Sequence, residues 1–283
     1  MTNRLFIFGL GFSGGAIARQ AKAAGWSVAG TVRSGDKAQQ LAAGGIETHL
    51  FDGTVPLPAR VFEGSSHVLC TIAPGTAGDP ALRTCAPLLR EARWLGYLST
   101  TGVYGDHDGG WVDETTPPKP SQPRSVERLA AEHAWQAMGA TIFRLPGIYG
   151  PGRSAIDQVR AGTARRIDKP GQVFSRIHVE DIATTVLAAI THPSPGAVYN
   201  VADDLPAPTA DVIAHACTLL ARPAPPLVPW AEIAPTMSAM ARSFYAENRR
   251  VRNDRIKREL GLTLRYPTYR EGLRAIFDVM RRT

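Results

Sequence analysis

A strand-like run, three spaced glycines and an alanine-rich segment follow one another at the start of the chain: RLFIF (4–8), GLGFSG (9–14), then SGGAIARQAKAA (13–24). That order leaves few folds open. Gly9 permits a turn too tight for a residue with a Cβ, Gly11 lets the backbone approach a ligand, and Gly14 lets the next helix lie close to the strand. A helix that starts there directs unsatisfied N–H groups and the positive end of its dipole at the turn, which suits phosphate. With Phe12 and Ser13, the loop is expected to cradle the pyrophosphate of a dinucleotide. The alternative, a glycine-rich turn that binds nothing, is disfavoured by the pattern that follows.

That pattern alternates. Ser27–Val32, Ile46–Phe51, Val68–Ile72, Leu95–Ser99 and Thr141–Leu145 read as strands. Ser13–Ala24, Asp36–Ala43, Ala81–Trp94 and Val126–Met138 read as helices. Apolar strands alternating with helices imply a parallel sheet covered on both faces, hence an α/β, Rossmann-like doubly wound fold. Beyond residue 150 the pattern loosens and prolines gather (Pro206, Pro208, Pro223, Pro225, Pro226, Pro229). The expected division is a dinucleotide-binding domain over 1–150, joined by a returning strand at 197–201, and a smaller, mostly helical substrate lobe over 151–283.

Composition narrows the function. No apolar run approaches the ~20 residues of a membrane span, and the chain enters its first strand without a signal-peptide pattern. Cys70, Cys85 and Cys217 have no metal or redox spacing, so the expectation is buried thiols in a reducing cytoplasm, with no metal and no membrane partner. The net charge is +7. It is spread along the chain apart from RRVRNDRIKR (249–258), which reads first as a solvated helix face and second as an attractor of anionic ligands. Nucleic acid ranks last, because the basic residues lack interleaved aromatics.

The second strand ends TVRS (31–34), without the acid that usually meets the ribose hydroxyls of NAD. Arg33 can pair with a 2′-phosphate and Ser34 can donate to it, so NADP is expected over NAD. Arg33 also reads as a plain solvent-facing arginine. Asp52, after the third strand, is placed to meet the adenine or to make an ordinary turn. Thr71, Ala73 and Pro74 end the fourth strand and should lie along the cofactor, since ligands sit at the carboxyl ends of parallel strands.

Three later motifs, STTGVYG (99–105), RLPGIYGPGR (144–153) and RIHVEDIA (176–183), follow the glycine loop in order. Together they resemble the extended and atypical short-chain dehydrogenase/reductase superfamily, in its NAD-dependent epimerase/dehydratase branch. The resemblance covers nearly the whole chain, although GxGxxG departs from the GxxGxxG usual in extended members. It implies that Thr100 holds the substrate hydroxyl or carbonyl and that Pro146 and Gly147 contact the cofactor. It also implies a Tyr-x-x-x-Lys pair on the next helix, where PRSVERLAAE (123–132) puts Arg124 at the tyrosine position and Arg128 at the lysine position.

Arg128 can keep the lysine's charge and its ribose contact. Arg124 cannot shuttle a proton, because guanidinium stays charged near neutral pH, but it can hold a carboxylate or phosphate in bidentate fashion. Tyr104 and Tyr149 are the candidate relocated proton donors, and each also reads as a loop-packing residue. His178 and Asp181 read as structural ties. Tyr149, Arg153, Arg176 and Arg250 are the candidate substrate contacts, with Arg249 and Asn253 nearby in the late basic segment, and they imply a small anionic or sugar-like substrate. The resemblance, with the NADP preference read from Arg33, thus implies an NADP-dependent oxidoreductase-like enzyme, commonly dimeric through helices of the Rossmann half. The alternative is a catalytically silent NADP-binding sensor or partner-binding protein.

Overall fold

The computed structural model describes residues 3–282. Among them, seven strands form the main sheet: β1 (Arg4–Phe8), β2 (Ser27–Val32), β3 (Glu47–Leu50), β4 (His67–Cys70), β5 (Trp94–Thr100), β6 (Thr141–Leu145) and β7 (Val198–Asn200). Their spatial order is β3-β2-β1-β4-β5-β6-β7. β1 pairs in parallel with both β2 and β4, β2 with β3, and β4 with β5. The order reverses between β1 and β4, and in such sheets ligands bind beyond the strand carboxyl ends at that switch point.

Coverage of both faces explains the sequence. Leu5, Phe6, Ile7 and Phe8 are all fully buried, so β1 shows no polar alternation. One face packs under α3 (Pro80–Leu89) and α4 (Pro123–Ala137), with Tyr97 of β5 stacked on Trp135 at 5.8 Å. On the other, α1 (Phe12–Ala23) is tied to the helix Val179–Thr191 by Gln20 Nε2 donating to Thr184 Oγ1 at 3.0 Å. Apart from two helices the ends agree with the sequence reading to within two residues. α3 stops at Leu89, after an internal Pro87, and Trp94 belongs to β5, where its ring fills the space above Gly96. α4 starts three residues earlier than its apolar pattern, at Pro123, a residue suited to a first helical turn.

The chain divides into two compact units that interleave in sequence. The first takes residues 1–103, 123–144 and 182–199, and the second 104–122, 145–181 and 200–283. The second unit has its own core, in which helices Ala155–Arg160, Thr209–Leu219 and Tyr269–Met280 bury Ile156, Ile213, Cys217 and Leu273. Short parallel pairs also occur there: Gly147–Tyr149 with Arg176–His178, Arg166–Asp168 with Leu227–Pro229, and Trp111–Val112 with Arg250–Val251. Two or three residues are too few to carry a readable period.

Candidate active site

The turn after β1 is pinned from both sides. Gly9 has φ +92°. Its N–H donates to Thr31 Oγ1 at 2.8 Å, and Thr71 Oγ1 donates to its carbonyl at 2.6 Å. A Cβ on Gly14 would stand 2.1 Å from that same carbonyl, so only glycine lets α1 approach so closely. A Cβ on Gly11 would meet nothing within 4 Å, and the residue is exposed. Gly11 is the N-cap of α1 and offers no side chain to the first-turn N–H groups. Those donors, together with the open space above Gly11, fit a pyrophosphate. Thr31 was not singled out by sequence. Its signal is a hydroxyl buried in an otherwise apolar strand beside the glycine loop.

Along the edge of the sheet, Arg33 and Ser34 are both exposed, and Arg33 makes no hydrogen bond or ion pair among the described residues. Ser34 is the N-cap of α2 (Gly35–Ala43), yet its hydroxyl makes no capping bond. Asp52 closes a turn, with its Oδ1 accepting from Thr54 N at 2.8 Å and Thr54 Oγ1 at 2.6 Å, which holds its carboxyl below the usual range. Thr71 directs its hydroxyl at the glycine turn. After it, Ala73 is exposed and Pro74 half-buried.

The carboxyl end of β5 carries Thr100, half-buried, whose Oγ1 accepts from Gly102 N at 3.1 Å. On α4, Arg124 is exposed in the first turn and Arg128 is half-buried. Arg128 Nη1 donates to Leu98 O at 2.9 Å and to Tyr97 Oη at 3.1 Å, and lies 3.5 Å from Ile72 O. One nitrogen thus ties down the ends of β4 and β5, while Nε and Nη2 make no bond with the described residues. Burial raises the Tyr97 phenol far above its ordinary pKa, with Arg128 opposing. One turn further along, Glu132 accepts from Ser99 Oγ at 2.7 Å and from Arg144 Nε at 3.1 Å, and also receives Arg144 Nη2. That buried pair joins α4 to β5 and β6, and the sequence reading missed it.

In the second unit Pro146 is half-buried and Gly147 exposed. Tyr104 is fully buried and its hydroxyl donates to Asn200 Oδ1 at 2.8 Å. Tyr149 packs beneath Gly272, with its hydroxyl 3.4 Å from Thr268 O, and burial, Asp203 and Asp181 hold its pKa far above the ordinary value. Neither phenol, placed so, is presented as an acid to an entering ligand. Arg153 is exposed. Arg176 Nη1 donates to Phe174 O at 2.7 Å and Ala207 O at 2.8 Å, which makes it a backbone staple. Arg250 Nη1 donates to Gly109 O, and Arg250 also lines a cavity of about 240 Å³ with Arg166, Lys169, Phe174 and Tyr245. His178 Nδ1 accepts from Glu180 N at 3.2 Å, and burial pushes its pKa down to about 4. Asp181 accepts from the backbone of Arg265 and Tyr266. A larger cavity, about 490 Å³, lies at the amino ends of β5 and β6 beside Arg93, Leu95 and Met138, at the opposite edge of the sheet from the glycine loop.

Comparisons with known proteins agree with this fold. The model of the NAD dependent epimerase/dehydratase family matches residues 82–202. A conserved protein of unknown function from Silicibacter pomeroyi aligns over 99% of both chains, with TM-score 0.90 and 48% identity. A dTDP-glucose 4,6-dehydratase of Bacillus anthracis, solved with NAD, covers 99% of this chain and 97% of its own at TM-score 0.79. At 15% identity it is a likeness of fold alone. A 3-diazoavenalumate denitrifying reductase of a Streptomyces species is 28% identical over 172 residues, 58% of this chain and 55% of that one. The chain thus spans about half the length of that curated relative.

Proposed function

We propose that the chain is a member of the NAD-dependent epimerase/dehydratase family, whose model matches residues 82–202, and that it is an NADP-dependent oxidoreductase acting on a small anionic or sugar-like carbonyl or alcohol. The observation that carries the reading is the glycine loop: a pinned, positive-φ Gly9, an open Gly11 at the head of α1, and an exposed Arg33 at the end of β2 with no partner among the described residues. First-turn N–H groups, Ser13's among them, hold the pyrophosphate, and Arg33 with Ser34 takes the 2′-phosphate. Thr71 fixes the loop, while Ala73 and Pro74 leave room along the cofactor. Arg128 offers its remaining donors to the nicotinamide ribose. When bound, the nicotinamide supplies or accepts the hydride.

Thr100 donates a hydrogen bond to the substrate oxygen and so polarises it. Arg124 holds a carboxylate or phosphate of the substrate rather than moving a proton. Tyr104 and Tyr149 are assigned no proton transfer, because their hydroxyls are buried and placed against protein acceptors. Water is then the proton source. Arg153 and Arg250 are the proposed anion contacts of the second unit. Arg176 is left out, because both terminal nitrogens are engaged, Nη1 with Phe174 O and Ala207 O and Nη2 with Thr209 Oγ1 at 3.4 Å. The protein is further proposed to work in the cytoplasm as a homodimer, without nucleic acid or membrane. Among the described residues no helix is long and apolar enough to cross a membrane.

The test is NADPH consumption with a panel of small carbonyl compounds. Turnover lost in Thr100→Ala supports the enzyme. Arginine in place of the acid/base tyrosine favours one rival, an NADP-binding sensor without chemistry, and that rival expects tight NADPH binding with no turnover of any carbonyl.

A further inference from the structure

Ser125, next to Arg124 on α4, is 3% exposed. Among the described residues its hydroxyl makes no hydrogen bond, yet it is not one of the fully enclosed unpartnered polar atoms. What little surface the residue has therefore includes the hydroxyl. Its setting is specific. A Cβ on Gly102 would stand 2.7 Å from Ser125 Oγ and 3.4 Å from Thr100 Oγ1. With no side chain at 102, the Ser125 and Thr100 hydroxyls take the room a Cβ would fill, and both approach the same backbone position at the carboxyl end of β5. Thr100 Oγ1 already accepts from Gly102 N, which occupies a lone pair and leaves its proton to donate. Ser125 has both its proton and its lone pairs unused.

Resting on the oxidoreductase reading above, we propose that Ser125 is a catalytic residue, the second hydroxyl that donates, beside Thr100, to the substrate's carbonyl oxygen. The carbonyl carbon takes hydride from reduced nicotinamide, the C=O π pair passes to the oxygen, and water protonates it to the alcohol. Ser125 and Thr100 stabilise the charge that develops on that oxygen. Ser125 replaces the hydrogen bond that a tyrosine at position 124 would give, not its proton transfer, because an alcohol hydroxyl does not ionise near neutral pH. A purely steric role, a small residue that lets α4 approach β5, is the competing explanation, and alanine satisfies it equally well.

The experiment compares wild type, Ser125→Ala and Ser125→Cys. NADPH consumption is followed with pyruvate, glyoxylate and phenanthrenequinone as carbonyl probes, alongside NADPH titration and thermal unfolding. The expected result for Ser125→Ala is a kcat lower by about a hundredfold, with NADPH affinity and unfolding temperature unchanged. Ser125→Cys, of similar size but a weak donor, is expected to fall between. Because neither hydroxyl titrates, the wild-type kcat is also expected to be flat through neutral pH. A Ser125→Ala rate within twofold of wild type overturns the assignment and leaves the oxidoreductase reading standing. Wild type that turns over none of the probes overturns both.

Discussion

Glu132 offers a perturbation whose cost can be worked from the structure. Its side chain is fully buried and that of Arg144 is 5% exposed. Glu132→Ala removes the carboxylate paired with that guanidinium, and it also removes the acceptor of Ser99 Oγ. Breaking a buried pair by deleting one partner costs about 3–5 kcal/mol, because a charge is left buried without compensation. The lost Ser99 bond adds about 1 kcal/mol. At roughly 2–4 °C per kcal/mol for a domain of this size, the unfolding temperature should drop by roughly 10–20 °C, read by calorimetry and by urea denaturation. The double variant Glu132→Met with Arg144→Met should recover most of the loss, since no buried charge remains. A Glu132→Ala variant destabilised by less than about 1 kcal/mol would refute the reasoning. So would a double variant no more stable than the single one.

Three further outcomes are expected. Arg33→Ala should weaken NADPH binding by roughly tenfold or more, the value of a charge-assisted pair, and leave NADH binding unchanged by titration calorimetry. Gly14→Ala should push α1 off Gly9 O, destabilising the fold by about 1–3 kcal/mol and abolishing dinucleotide binding, checked by denaturation and titration. Burial raises the Asp203 carboxyl to about 8. The folded state therefore holds a proton that the unfolded chain releases near pH 4, and this group's contribution to stability is lost as pH rises from about 4 to about 8. Asp203→Asn should remove that slope, so its stability relative to wild type should climb across the window and level off above it. A constant difference across the window would show that the carboxyl is not held protonated.

What sequence could reveal depended on how local the cause was. The strand, glycine turn and helix of residues 4–24 announce themselves because each glycine acts on its immediate neighbours, and because a doubly covered strand such as β1 is apolar throughout. Arg124 and Arg128 were likewise visible, being defined by spacing on one helix. The unread parts depend on partners distant in sequence. Glu132 looks like a surface helix glutamate until Ser99 and Arg144 close on it. The position of Arg128 on its helix suggests a ribose ligand but carries no sign that one of its nitrogens is tied to Leu98 and Tyr97. The loop motif makes Tyr104 a candidate proton donor, while its hydroxyl pairs with Asn200, 96 residues on. Ser125 drew no notice because its setting is defined by Gly102, a residue with no side chain to mark the spot. Arg176 carried the right chemistry for an anion, but two backbone carbonyls claim it.

The central claim is a nicotinamide dinucleotide held on the glycine loop, with its 2′-phosphate read by Arg33. Titration calorimetry of the protein with NADPH and, separately, with NADH tests it most directly. The account predicts stoichiometric NADPH binding and NADH binding weaker by tenfold or more. Equal affinities would contradict the role of Arg33, and binding of neither would contradict the cofactor site itself.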